Sequence, residues 1–179
     1  MWQGQNHDIR LRTKEHCRFV QTTWCYYPHP DEAYYHHTVD NNVISITFGI
    51  ESDLSQLDRE AMRAEYAARF PTLSDAQVRT LYSMLYHFTH TMQIGDRVIY
   101  PSTRHERVIR VGNCTGHYRH VPGDPLGCVH QHNVEWERTF DREEFSPEAL
   151  MGISVNLVIF RVHNAIFLNE LNQLMGSSS

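Results

Sequence analysis

Three features of the sequence predict an α+β fold. Short β-branched and aromatic runs close on turn residues, two capped segments of helical periodicity follow them, and four more strand-like runs come after the helices. The first run, Thr23-Trp24-Cys25-Tyr26-Tyr27, is rich in strand formers and ends at Pro28-His29-Pro30, where a loop is expected. The second, Val43-Ile44-Ser45-Ile46-Thr47-Phe48, alternates and stops at Gly49, which predicts a half-buried strand.

Residues 58–70 carry Met62, Tyr66 and Phe70 at helical spacing, with Asp58 as N-cap and Pro71 just beyond the end. Ser74-Asp75-Ala76-Gln77 is a capping-box pattern. Val78, Leu81, Tyr82, Leu85 and Met92 then fall on one face, so a longer helix should end before Gly95. Residues 97–100, 107–115, 129–136 and 155–162 are strand-like and separated by turn chemistry such as Val121-Pro122-Gly123-Asp124-Pro125. Four strands in succession predict an antiparallel sheet or a small barrel. Ser146-Pro147-Glu148 opens a short helix with Pro at its first position, and residues 164–174 align Phe167, Leu168, Leu171 and Leu174 in a closing helix.

The expected organisation is an N-terminal extension over 1–22, one recognition domain over 23–175 and a linker or tag remnant over 176–179. The extension is polar apart from a short amphipathic helix expected around residues 12–20. A hydrophobic content of 41% against 21% charged residues is that of a chain that folds. No apolar run approaches the roughly 20 residues that span a bilayer, and the polar start lacks a secretory signal. A cytoplasmic, prokaryotic protein with no membrane partner is expected. The four cysteines form no C-x-x-C pair and are expected to be reduced.

A net charge of −5 argues against broad nonspecific nucleic-acid binding, which rewards many basic contacts. It leaves room for a localised site. Every basic residue except Lys14 is Arg, the side chain suited to bidentate recognition of phosphates and base edges.

Thirteen histidines raise the question of a metal. Cys114, His117, Cys128, His130 and His132 contain the donors of a zinc shell, but their spacing is not that of a finger or ribbon. His130 and His132 alternate with Val134 and Trp136, so a partly buried strand face is expected, with no metal and no cofactor. The chain has no G-x-S-x-G, no H-E-x-x-H and no Walker loop, and the acidic pairs Glu51/Asp53 and Glu143/Glu144 read as solvated. A binding domain without catalytic residues is expected, rather than an enzyme. The aromatic residues Trp24, Tyr26, Tyr27, Phe48, Tyr100, Tyr118 and Trp136 cluster near strand ends, where rings either stack on a flipped base or fill the core.

The ordered set Val43-Ile44-Ser45-Ile46-Thr47-Phe48-Gly49, Ser52-Asp53-Leu54-Ser55, residues 92–102, residues 111–118 and Val134-Glu135-Trp136 resembles the N-terminal module of Mrr-like bacterial restriction endonucleases and related defence proteins. That module is similar to the EVE and YTH readers of the PUA-like superfold. In two places the sequence departs from the pattern: Phe48 stands where many relatives carry Trp, and Asn113-Cys114 replaces an acidic-aliphatic pair.

The resemblance implies a small, strongly curved antiparallel β-barrel with helices packed outside and a pocket for one nucleobase. By position it implies a modified-base pocket of Trp24, Thr47, Phe48, Asp53, Tyr100, Ser102 and Trp136, the last as wall or core. The rings would stack on the base, Thr47 and Ser102 would bond its edge, and Asp53 would accept from an exocyclic amine. Arg104 and Arg107 would hold the flanking phosphates. The implied function is reading a modified, methylated base in DNA by base flipping, which would direct a nuclease or other effector, in cis or in trans, in restriction and antiviral defence. Two alternatives stand beside it: a sensor of a free nucleotide or other small ligand, and a non-catalytic oligomerisation module.

Overall fold

The computed structural model describes residues 21–102 and 106–177. The helix expected around residues 12–20 lies outside them. Seven strands form one strongly curled sheet, a half-barrel. They are β1 (Thr23–Tyr26), β2 (Val43–Ile46), β3 (Arg97–Ser102), β4 (Val108–Cys114), β5 (Arg119–His120), β6 (His130–Asp141) and β7 (Ile159–Arg161). Their order is β2-β6-β4-β3-β1-β7, with β5 also paired to β6.

Two features depart from the expected antiparallel barrel. The described strands leave the sheet open between β2 and β7, and β1 pairs with β3 in parallel through Thr23↔Arg97, Trp24↔Val98 and Cys25↔Ile99. A parallel pair needs a long crossover. Residues 27–96 supply it, carrying β2 and three helices: α1 (Glu32–Asp40), α2 (Arg59–Arg69) and α3 (Asp75–Tyr86).

Period-two alternation divides the core between the faces of the sheet. Trp24, Tyr26 and Val98 join Met62, Tyr66 and Leu85 of α2 and α3 on one face. Cys25, Ile99, Ile109, Val111 and Phe140 pack on the other against α4 (Pro147–Met151) and α5 (Ala165–Gly176). With both faces covered, β1 is buried throughout. So is β2, expected to be half-buried, because α1 packs against it.

The caps follow the sequence. Asp58 accepts from the Ala61 N–H at 2.8 Å, and Ser74 and Gln77 form the reciprocal capping box. Such caps contribute about 1 kcal/mol each. Helix α3 runs into a π-helical turn, His87–Thr91, that ends before Gly95.

The curl has a visible origin at Gly112, where the β4–β6 register slips. A Cβ there would sit 2.3 Å from the Glu135 carbonyl oxygen, so only a hydrogen fits and the strands can close into a bulge.

One buried carboxylate ties the start of the sheet together. Asp96, 3% exposed, accepts from Trp24 Nε1 at 2.8 Å, from the Gln93 N–H at 3.0 Å and from the Thr22 N–H at 3.3 Å. The Asp96→Ala change strands these donors, and we expect a loss of about 3 kcal/mol in urea unfolding. A loss below about 1 kcal/mol would show that water satisfies them instead.

Candidate functional site

The gap that keeps the sheet from closing is a cavity. It has a volume of about 460 Å³ and is walled by both edges of the sheet. From one side come Ser45, Ile46, Thr47 and Phe48 at the exit of β2. From the other come Tyr27 at the exit of β1 and residues 155–158 leading into β7. His29 and Tyr34 of the β1–α1 connection and of α1 cover one end, and Cys128 forms part of the wall.

Each wall is held by main-chain bonds. The Tyr27 N–H donates to the Val158 carbonyl at 2.7 Å and its hydroxyl to the Ile153 carbonyl at 2.9 Å, which locks the two strand connections together. Tyr34 donates to the Leu126 carbonyl at 2.9 Å, and its ring lies 4.8 Å from that of His29. Between the edges, the Tyr26 hydroxyl donates to the Ser45 carbonyl at 2.9 Å and accepts from the Ser45 N–H at 3.2 Å.

Phe48 is the unusual residue. Its φ is +44°, in the left-handed region that bulky side chains avoid. The conformation is held by Tyr66, whose hydroxyl donates to the Phe48 carbonyl at 3.0 Å, and by Arg69, whose Nε donates to the next carbonyl, of Gly49, at 2.6 Å. Gly49 follows at φ +71°, where an added Cβ would meet the Phe70 ring at 2.7 Å. Two consecutive left-handed residues aim an aromatic ring, only partly buried, along the cavity rim. Strain of this kind collects at ligand sites.

Of the seven pocket residues implied by the resemblance, the structure brings Thr47 and Phe48 to this cavity and places the other five elsewhere. Trp24 is a core residue bonded to Asp96 and faces α3 rather than the gap. Tyr100 is buried in an aromatic cluster, 6.2 Å from the ring of Tyr26 and 6.3 Å from those of Tyr35 and Trp136. Trp136 belongs to the core: its Nε1 donates to the Thr38 carbonyl at 3.3 Å and fastens α1 to the sheet. Ser102 is buried at the end of β3.

Asp53 is exposed, and its carboxylate accepts from the Ser55 N–H at 2.9 Å, a bond that lowers its pKa. Arg107, at φ +53°, pairs with Glu143 at 3.1 Å over a separate depression. Arg104 lies outside the described residues. Tyr27, one of the aromatic residues near strand ends, also lines the cavity, and sequence reasoning missed His29 and Tyr34. Asp31 was their available signal, an N-cap right after Pro30 that accepts from the Ala33 N–H at 3.0 Å.

Of the three histidines weighed for zinc, His117 is exposed, and His130 and His132 are held by protein groups. His130 Nε2 donates to the Ile50 carbonyl at 2.9 Å, and its Nδ1 accepts from the Tyr118 hydroxyl at 2.8 Å. His132 lies 2.7 Å from the Phe88 carbonyl and 2.9 Å from that of Gly116. Burial raises the thiols of Cys25 and Cys128 and pushes Cys114 up to about 11, so none of these three is a thiolate nucleophile in the protein alone. No described helix is long and apolar enough to cross a membrane.

A curled, open α+β sheet with a cavity in its gap defines the class of this protein. Residues 24–156 match the family described as Domain of unknown function (DUF8426), and the chain belongs to that family. It is also similar to two bacterial structures, each 14% identical. One is the NMR structure of Rpa0253 from Rhodopseudomonas palustris, covering 88% of this chain and 98% of the other with a TM-score of 0.46. The other is the crystal structure of Atu2648 from Agrobacterium tumefaciens, covering 85% and 92% with a TM-score of 0.38. No curated protein matches the chain.

The buried imidazoles set a pH dependence. Burial holds the pKa values of His130 and His132 below the ordinary value of about 6.5. The unfolded chain therefore binds protons at higher pH than the folded one, and the stability that depends on neutral rings is complete above about pH 6.5. We expect it to fall as the pH drops from 6.5 through the folded-state values. Thermal unfolding across this range checks the sign, and a stability that rises on acidification would contradict it.

Proposed function

We propose that this domain reads a modified nucleobase in DNA, taking the flipped base into the cavity between β2 and β7. The observation that carries this reading is the pairing of a cavity of about 460 Å³ with an aromatic rim of Tyr27, Tyr34 and Phe48 and the polar edge group of Thr47. A volume within the usual ligand range of about 300–1,000 Å³ accommodates a base. The rings supply stacking and the Thr47 hydroxyl supplies edge recognition. The resemblance to the Mrr-like module supports the same reading and makes a nuclease or other effector the partner it would direct.

Phosphate contacts are few in this scheme. Arg69, exposed and bonded to the Gly49 carbonyl next to Phe48, is the cation this scheme would use, whereas Arg107 is engaged with Glu143 on a separate depression. The net charge of −5 also favours a second reading, in which the same cavity senses a free nucleoside or nucleotide without duplex contacts.

Binding to short duplexes that are unmodified or carry methylcytosine, hydroxymethylcytosine or methyladenine, and to the matching free nucleosides, separates the two. The reader predicts tighter binding to one modified duplex, with a salt slope of about −1 to −2, as one or two neutralised phosphates require. Phe48→Ala should weaken it about 5- to 150-fold, the loss of one stacking contact of about 1–3 kcal/mol. Equal binding of the free nucleoside, with no salt dependence, would establish the sensor instead. Absence of binding to every probe would overturn both.

A further inference from the structure

We infer that His37, Asp124 and Cys128 form a binding site for a zinc-type divalent ion, fastening α1 to the 121–129 loop. This site is independent of the nucleobase reading. Among the described residues these three side chains bring their ligand atoms within 4.8 Å of one another, one from α1 and two from the loop.

The loop is built to present its two donors together. Asp124 Oδ1 accepts from the N–H groups of Leu126 and Cys128, both at 3.0 Å. The Gly127 N–H returns to the Asp124 carbonyl at 2.9 Å, and Gly127 takes the left-handed φ of +68° that turns Cys128 back toward Asp124. These bonds orient the carboxylate so that Oδ2, which accepts from Gln131 Nε2 at 3.2 Å, also faces His37 Nε2, 4.0 Å away.

The imidazole is the second, independent sign. His37 Nε2 is buried and has no hydrogen-bond partner, while Nδ1 is 3.5 Å from the Asn41 amide. The Asp124 side chain is only 7% exposed, and Cys128 is 1% exposed. The ring nitrogen, buried without a partner beside a carboxylate and a thiol that face the same point, is costly to leave unbonded, and a cation between the three would satisfy it.

The donor set also selects the ion. One sulfur, one imidazole nitrogen and one carboxylate oxygen suit zinc, and the sulfur disfavours magnesium and calcium. Metal–donor bonds of about 2.0–2.3 Å put tetrahedral ligands about 3.3–3.8 Å apart, so the longest edge of the triangle must shorten by at most about 1.5 Å. With three protein ligands, the fourth position falls to water. An ion here would pin Tyr34 and Cys128, both on the cavity wall, through their own elements.

Titration of the untagged, chelator-stripped chain with cobalt(II), followed by zinc competition, tests the site. The expected result is one cobalt per chain with a thiolate-to-cobalt charge-transfer band. The band should persist in Cys17→Ser, which removes the thiol of the N-terminal segment, and vanish in the near-isosteric Cys128→Ser. His37→Ala and Asp124→Asn should weaken zinc by roughly 100-fold or more, since even residues that only orient a ligand contribute about 10–100-fold. Absence of the band in the unaltered protein, which needs no variant to observe, would overturn the proposal. So would its survival in Cys128→Ser or its loss in Cys17→Ser.

Discussion

The open edge of the sheet is the constraint on which the rest of this structure depends. A strand with one unpaired side presents peptide groups that need partners when water is excluded. At Ser45 of β2 those partners come from a side chain. The Tyr26 hydroxyl both donates to the Ser45 carbonyl and accepts from its N–H, so one phenol stands in for a neighbouring strand. Because a tyrosine is longer than a strand-to-strand spacing of about 4.8 Å, β1 and β2 are held apart rather than zipped together. The space beyond that bridge, toward the strand ends, is the cavity.

Curvature makes the bridge possible. The bulge at Gly112 bends β4 against β6, and β6 is long enough to pair with β4 through Val134–Asp141 and with β2 through His130–Asn133. One strand thus contributes to both walls of the half-barrel. On the β2-paired half, His130 donates to the Ile50 carbonyl, and His132 lies between the carbonyls of Phe88 and Gly116, to one of which its neutral ring donates. Their abundance in the sequence resembles metal chemistry. Their role is to satisfy backbone groups where loops cross the inside of the curl.

The legible parts of this fold were those specified locally. Asp58 and the Ser74–Gln77 pair marked helix starts because capping needs only neighbours in sequence, and Gly49 and Gly95 marked ends for the same reason. Helix α1 had only its Asp31 N-cap to announce it: Glu32–Asp40 buries only Thr38, so no apolar stripe supports that signal. The parallel pairing of β1 with β3 was not legible, because it depends on a crossover spanning residues 27–96. The candidate site was legible at Thr47 and Phe48. Trp24 and Tyr100 have the composition of a pocket, but β1 and β3 are buried on both faces and turn them inward, a distinction that sequence alone cannot draw, while Trp136 is half-buried and bonded to α1.

If the cavity takes a flipped base as proposed, the balance of forces there bears on what it would select. Extruding a base costs a few kcal/mol, and the phosphate contacts that usually repay it are scarce on a chain of net charge −5. Stacking on Phe48 and its neighbours, at about 1–3 kcal/mol per base, roughly cancels that cost without leaving a surplus. Selective binding must then come from what the modification itself adds. A methyl group buried against the apolar walls near Ile46, Leu157 and Val158 contributes about 0.8 kcal/mol, and unpairing that is already cheap contributes the rest. On that reading a weakly charged pocket would gain little from unmodified duplex, and poor nonspecific affinity would be a condition of its selectivity.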